Sequence, residues 1–193
     1  MRLLLCLFAV VELNTAPGWC TSMQQGKPEE PEGYGQAKWG MSPTQVRNLL
    51  KRKKISIQTQ ADIKQAEIRD KEKIRLSNSD REFAICYTFF NDKLYKVTLT
   101  AIGKNVPAVL EKYEQTTWEL DYCYLRELFV QRFGNNYSAP FDTLGNHELF
   151  WDLSGTQVAL MNILNSFNLV YTKNDLRDQA RAFEREITKR KIH

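Results

Sequence analysis

Helical and extended spacings of apolar residues take turns along this chain. Val46, Leu49 and Leu50 share one helical face directly behind Ser42-Pro43-Thr44-Gln45. That tetrad reads as a capping box. The Ser42 hydroxyl would accept from the Gln45 amide, Gln45 would reach back, and Pro43 sits at the first helical position, where its missing N–H costs nothing. Strands come next. Ala66 to Leu76 spaces Ala66, Ile68, Ile74 and Leu76 among charges, which predicts a long exposed or edge strand whose charge discourages intermolecular pairing. Phe83 to Phe90 and Leu94 to Ile102 predict a hairpin turning at Asn91-Asp92. Ile85, Tyr87 and Phe89 alternate on one strand, and Tyr95, Val97 and Leu99 on the other.

A helix is predicted within Pro107 to Phe133, at least from Asp121. Leu125, Leu128 and Phe129 would face inward, and Gly134 would be the left-handed stop. Leu110, Tyr113, Thr117, Leu120 and Tyr124 would carry the same face backwards. Three more strands are expected at Glu148 to Leu153, Thr156 to Ile163 and Phe167 to Tyr171. Asn174 or Asp175 then caps a final helix with Leu176, Ala180, Phe183 and Ile187 in a narrow stripe. Strands joined by short turns make an antiparallel sheet, and the fold class is α+β, with helices packing the sheet. The order suggests two helix-plus-three-strand units, 37–103 and 104–173, followed by a C-terminal helix over 174–193.

The N-terminus bears on location. Arg2 precedes an apolar run, Leu3 to Val11, too short to span a bilayer, so residues 1–20 read as a signal peptide. Residues 21–36 read as a flexible linker, broken by Gly26, Pro28, Pro31, Gly33 and Gly35 and solvated by Glu29, Glu30 and Glu32. The α+β domain then occupies 37–193. The expected location is periplasmic or secreted. A lipidated Cys20 is the alternative that would add membrane contact, although Trp19 is bulky where lipoprotein peptidases take a small residue.

With 193 residues and 42% apolar content, the chain can bury one core, or two small ones that merge. A net charge of +4 lacks the dense basic footprint of nucleic-acid binders. In an oxidising compartment Cys86 and Cys123 are candidates for a disulfide.

Chemistry is sparse. His147 and His193 are the two histidines, and no nucleophile motif surrounds either cysteine. A hydrolase site built on His147 with Cys86, Cys123 or a carboxylate such as Asp152 is the enzymatic alternative. No metal-ligand spacing is present, and the glycines cluster in the linker rather than in a phosphate cradle, so no cofactor is expected. Lys51 to Lys54 is the densest charge run and reads as a solvated helix end. Trp39, Trp118 and Trp151 read as core or sheet-face packing; exposed, they would suit a cell-wall glycan or lipid.

The run Trp39, Gly40, Met41, Ser42, Pro43, Thr44, Gln45 and Val46 is the most distinctive string. Together with Phe89 to Leu94 and Arg132-Phe133-Gly134, it resembles bacterial exported envelope proteins of unassigned function. The Gly-Met-Ser-x-x-Gln-Val piece is similar to small outer-membrane lipoproteins of the SmpA/OmlA type, which share a fold with β-lactamase inhibitory proteins. The resemblance implies helices on an antiparallel sheet and a role in the cell envelope. The expectation is an exported, non-catalytic binding or assembly module acting through protein contacts.

Overall fold

The chain enters the fold through a small hairpin, β1 (Gly33–Tyr34) and β2 (Ala37–Lys38), and passes directly into α1 (Pro43–Leu49). The structure, a computed structural model, describes residues 28–50, 57–60, 64–76, 79–101, 108–140, 147–163 and 166–192. The predicted signal peptide, Cys20, Lys51 to Lys54 and His193 lie outside the described residues.

Ser42 caps α1 as its sequence implies. The Gln45 amide donates to Ser42 Oγ at 3.3 Å, and the Ser42 amide donates to Gln45 Oε1 at 2.8 Å. Gly40 adopts φ +81°, a left-handed conformation that favours glycine. The Gly40 amide donates to the Leu94 carbonyl at 2.9 Å, and the Leu94 amide donates to the Met41 carbonyl at 2.8 Å. The turn thus docks on the main sheet while α1 buries Val46 completely.

That sheet has seven strands: β3 (Ile57–Gln60), β4 (Gln65–Arg75), β5 (Asp80–Phe90), β6 (Lys93–Ala101), β7 (His147–Asp152), β8 (Thr156–Ile163) and β9 (Ser166–Lys173). The spatial order is β3-β4-β5-β6-β9-β8-β7, with every neighbour antiparallel. Read outward from the central β6–β9 pair, it runs β6-β5-β4 one way and β9-β8-β7 the other. Turn lengths match across this centre. Arg75 pairs Asp80 and Asp152 pairs Gln157, while Phe90 pairs Lys93 and Ile163 pairs Ser166. Positive φ at Asn91 (52°) and Asp92 (59°) gives the β5–β6 turn the backbone twist that suits a two-residue hairpin. Between the halves runs α2 (Ala108–Phe133), and α3 (Asn174–Ile192) follows β9.

Three details depart from the sequence reading. β3 pairs the first part of β4, so only Arg69 to Arg75 of β4 forms an edge among the described residues. Tyr95 leaves the Val97–Leu99 face because of a bulge: Thr88 pairs Lys96 and Phe89 pairs Leu94, making Tyr95 the extra residue. On α2 the buried stripe is Trp118, Tyr122, Leu125, Phe129 and Phe133, whereas Leu120 (50% exposed) and Tyr124 (36%) point outward. The stripe follows the aromatic side chains that meet the sheet, as in the Trp118–Phe167 contact with ring centroids 4.5 Å apart. The side chains of Leu110 and Tyr113 lie outside the described residues.

The main core lies on one face of the sheet, beneath β1–β2, α1 and α2, and contains Ile68, Phe83, Ile85, Tyr87, Val97, Leu99, Leu160 and Leu169. One ion pair is buried in it. Arg81 Nε lies 2.7 Å from Asp121 Oδ2, the side chains being 1% and 0% exposed, and Ser79 Oγ donates to the same carboxylate oxygen at 2.6 Å. The guanidinium also stacks over Trp118 at 4.6 Å. On the opposite face α3 packs Leu176, Ala180 and Phe183 against Phe90 and Tyr95. Tyr95, displaced by the bulge, thereby becomes an anchor for α3.

Candidate functional site

Among the described residues only α3 packs on the second face of the sheet, and it lies near the end defined by Phe90 and Tyr95. The continuous register aligns side chains from six strands into rows across this face. The row beneath α3 is Glu67, Thr88, Lys96, Thr172, Gln157 and Asp152, where Arg177 of α3 donates to Gln157 Oε1 at 3.3 Å. The next row is Arg69, Cys86, Thr98, Val170, Ala159 and Phe150. Beyond it lies Lys71, Ala84, Thr100, Asn168, Met161 and Glu148. At the usual inter-strand spacing each row is about 24 Å wide.

These two outer rows form an open surface of mixed character. Its middle is small, hydroxylic or apolar, and Thr100 Oγ1 donates to Asn168 Oδ1 at 2.7 Å across the central pair. Cations stand at the β4 margin, held by same-face carboxylates: Arg69 by Glu67 at 2.9 Å and Lys71 by Glu82 at 3.0 Å. Burial pushes the Cys86 thiol up from its ordinary pKa, so it stays protonated and poorly nucleophilic.

Away from this face, the N-terminal segment is strapped to the β7–β8 turn. Glu30 accepts from Ser154 Oγ at 2.7 Å and Thr156 Oγ1 at 2.9 Å, and Lys173 Nζ lies 3.6 Å away. Trp39 Nε1 donates to the Pro31 carbonyl at 2.7 Å, and the Trp39 amide donates to the Glu32 carbonyl at 2.9 Å. Gly155 permits the approach, since a Cβ there would meet Glu30 Oε1 at 2.6 Å. The stretch assigned from sequence to the end of the linker thus takes part in the fold from Glu30 on.

The Ser154 hydrogen bond is the main cause of a lowered Glu30 pKa; burial opposes it, and Thr156 and Lys173 add to it. A depressed folded pKa means the strap contributes fully above the unfolded carboxylate value of about 4.3 and loses its contribution as pH falls through the lower folded value. Glu30→Gln is therefore expected to speed hydrogen exchange at the Trp39 amide at neutral pH. Wild type should acquire the same fast exchange, corrected for intrinsic rate, only in acid. An unchanged Trp39 rate in the variant would show that the carboxylate does not hold the strap.

The sequence candidates are dispersed. Cys86 and Cys123 are free thiols on opposite sides of the sheet, Cys86 on the open face and Cys123 exposed on α2. A bridge needs Cα atoms within about 7 Å, so the disulfide suggested by an even count is not formed. His147 is exposed at the start of β7, its ring 6.3 Å from that of Tyr122, and Asp152 sits at the other end of the same strand. Trp118 and Trp151 are buried, and Trp39 packs against the core. Trp39 to Val46 serves as the turn and helix start described above. Among the described residues no three His, Cys, Asp or Glu side chains gather in a metal-binding group, and no helix is long and apolar enough to cross a membrane.

No known protein family, curated protein or solved structure matches this chain. The open face escaped the sequence reading because its central rows join β6 to β9, strands far apart along the chain. The period-2 alternation of Thr98 and Thr100 with Val97 and Leu99 was the available signal.

Proposed function

We propose that this chain is an exported, non-catalytic binding module of the bacterial cell envelope, acting through protein contacts on the open face of its sheet. The observation that carries the reading is the pair of rows centred on Thr98, Val170, Thr100 and Asn168, over which no described element packs. A surface with an apolar, hydroxylic centre and charges at its margins has the layout of a protein interface, whose core is depleted of charge and whose rim is polar. The apolar N-terminal run and the Trp-Gly-Met-Ser resemblance support the envelope part of the reading.

The other two readings draw less support. Among the described residues no hydrogen bond joins His147 to Cys86, Cys123 or Asp152, and Trp118 and Trp151 are committed to the core.

Val170→Arg tests the proposal, because it places a long cation at the centre of the open face without touching the main core. The variant is expected to keep its circular dichroism spectrum and melting temperature. Crosslinking in the native envelope should then lose, at least tenfold, the adduct formed by wild type. Arg126→Glu, on the exposed side of α2, should retain the adduct. Equal adduct yield in Val170→Arg and wild type would defeat the open face as the contact surface.

A further inference from the structure

Arg181, Arg185 and Lys189 recur at every fourth position along one exposed flank of α3. The carboxylates around them are engaged elsewhere: Asp178 by Arg177 at 3.0 Å, Glu184 by Gln65, and Glu186 by Arg190. None of the three cations has a carboxylate within 4.0 Å among the described residues. Arg185 Nε instead donates to the Arg181 carbonyl at 3.3 Å. Like charges four residues apart oppose helix formation, so the folding of α3 gains nothing from this arrangement. The ridge borders an open recess of about 700 Å³ lined by Asp178, Arg181, Glu184, Arg185, Thr188 and Lys189.

We propose that this ridge docks an extended acidic segment of a partner protein, with Asp or Glu at alternate positions. The match is one of spacing. Residues four apart on a helix are about 6 Å apart along its axis, and alternate residues of an extended chain, which point the same way, are about 6.7 Å apart. Three carboxylates can therefore meet three cations with a mismatch that long Arg and Lys side chains absorb. Asp178 and Glu184 in the same recess disfavour a uniform polyanion, whether nucleic acid or anionic bilayer. A peptide can set neutral or basic side chains opposite them. The proposal rests on the reading of the chain as a protein-binding module and adds the chemistry of the partner.

The test uses the full chain and a fluorescent twelve-residue peptide of alternating Glu and Thr, followed by anisotropy. Wild type is expected to bind saturably and to weaken as salt rises, since exposed charges are screened. Arg185→Glu should weaken binding at least tenfold, and Arg126→Glu less than twofold. A peptide of the same composition with its Glu residues in one block should bind several-fold more weakly than the alternating one. Circular dichroism checks the helix. Arg181→Gln with Arg185→Gln replaces the reversal if that variant loses helical signal.

Absence of saturable binding, equal weakening by Arg126→Glu, or no preference for the alternating peptide would overturn the proposal. So would tighter binding, at equal anionic charge, to phosphatidylglycerol vesicles or duplex DNA. The two readings fail separately. Loss of the envelope adduct in Val170→Arg with no peptide binding leaves the binding module standing and removes the acidic ligand. An unaffected adduct with ridge-dependent peptide binding removes the open face as the contact surface and keeps the acidic ligand.

Discussion

Asp121→Ala is expected to lower folding stability by about 3–5 kcal/mol, because it strands the Arg81 guanidinium inside the core. The pair sits where α2 crosses the start of β5, with both side chains sealed from water and Ser79 sharing the carboxylate. Removing the anion costs far more than the pair contributes net, since the remaining charge keeps its desolvation penalty. Urea melts of Asp121→Ala, Arg81→Leu and the double variant Arg81→Leu with Asp121→Leu separate the two quantities. The double variant is expected to recover most of the loss, as buried ion pairs exchanged for apolar residues often do. It will still lack the Arg81 stack on Trp118, 4.6 Å from the ring centroid. If Asp121→Ala melts within about 1 kcal/mol of wild type, the pair is not sealed from solvent as the structure has it.

The second large effect is expected at Trp151. The side chain is fully buried on β7, with ring centroids 5.7 Å from Phe129, 6.1 Å from Phe133 and 5.3 Å from Tyr137. Its Nε1 donates to the Gly134 carbonyl at 2.8 Å, just past the end of α2. One residue therefore fastens the helix terminus, the loop after it and the outer strand of the second half. Trp151→Ala should cost about 3–5 kcal/mol. Trp151→Phe, which keeps much of the apolar volume and loses the hydrogen bond, should cost about 1–3 kcal/mol. Near-ultraviolet circular dichroism and denaturant melts report both. A Trp151→Ala protein as stable as wild type would contradict its place at the centre of this cluster.

What could be read in advance was local. The Ser42–Gln45 box, the Asn91-Asp92 turn and the Gly134 stop each depend on groups a few residues apart, so short strings specify them. The period-2 runs over β4 to β9 and the stripe of α3 were legible for the same reason: a repeating pattern records which face is wet. β3 escaped because Ile57-Gln58-Thr59-Gln60 is short and polar, with too few residues to show a period.

The candidate site was legible only in its pieces. Thr98, Thr100, Asn168 and Val170 each read as the polar or neutral side of a strand. Nothing local says that β6 lies beside β9 and joins them into one surface. The burial of α2 through Trp118, Tyr122 and Leu125 rather than Leu120 and Tyr124 likewise depended on where Phe167 stands. Tyr95 crossed to the α3 side through a bulge set by its pairing with β5.

By itself, then, the sequence determined the helices, the strands β4 to β9, several of their caps and turns, and the α+β class, because backbone hydrogen bonding and side-chain periodicity act over a few residues. Tertiary structure alone decided the β6–β9 seam, the opposite placement of Cys86 and Cys123, the docking of Glu30 on Ser154 and Thr156, and the open rows beside α3. Each of these joins groups far apart in the chain, and their meeting is set by competition among whole elements for the faces of one sheet.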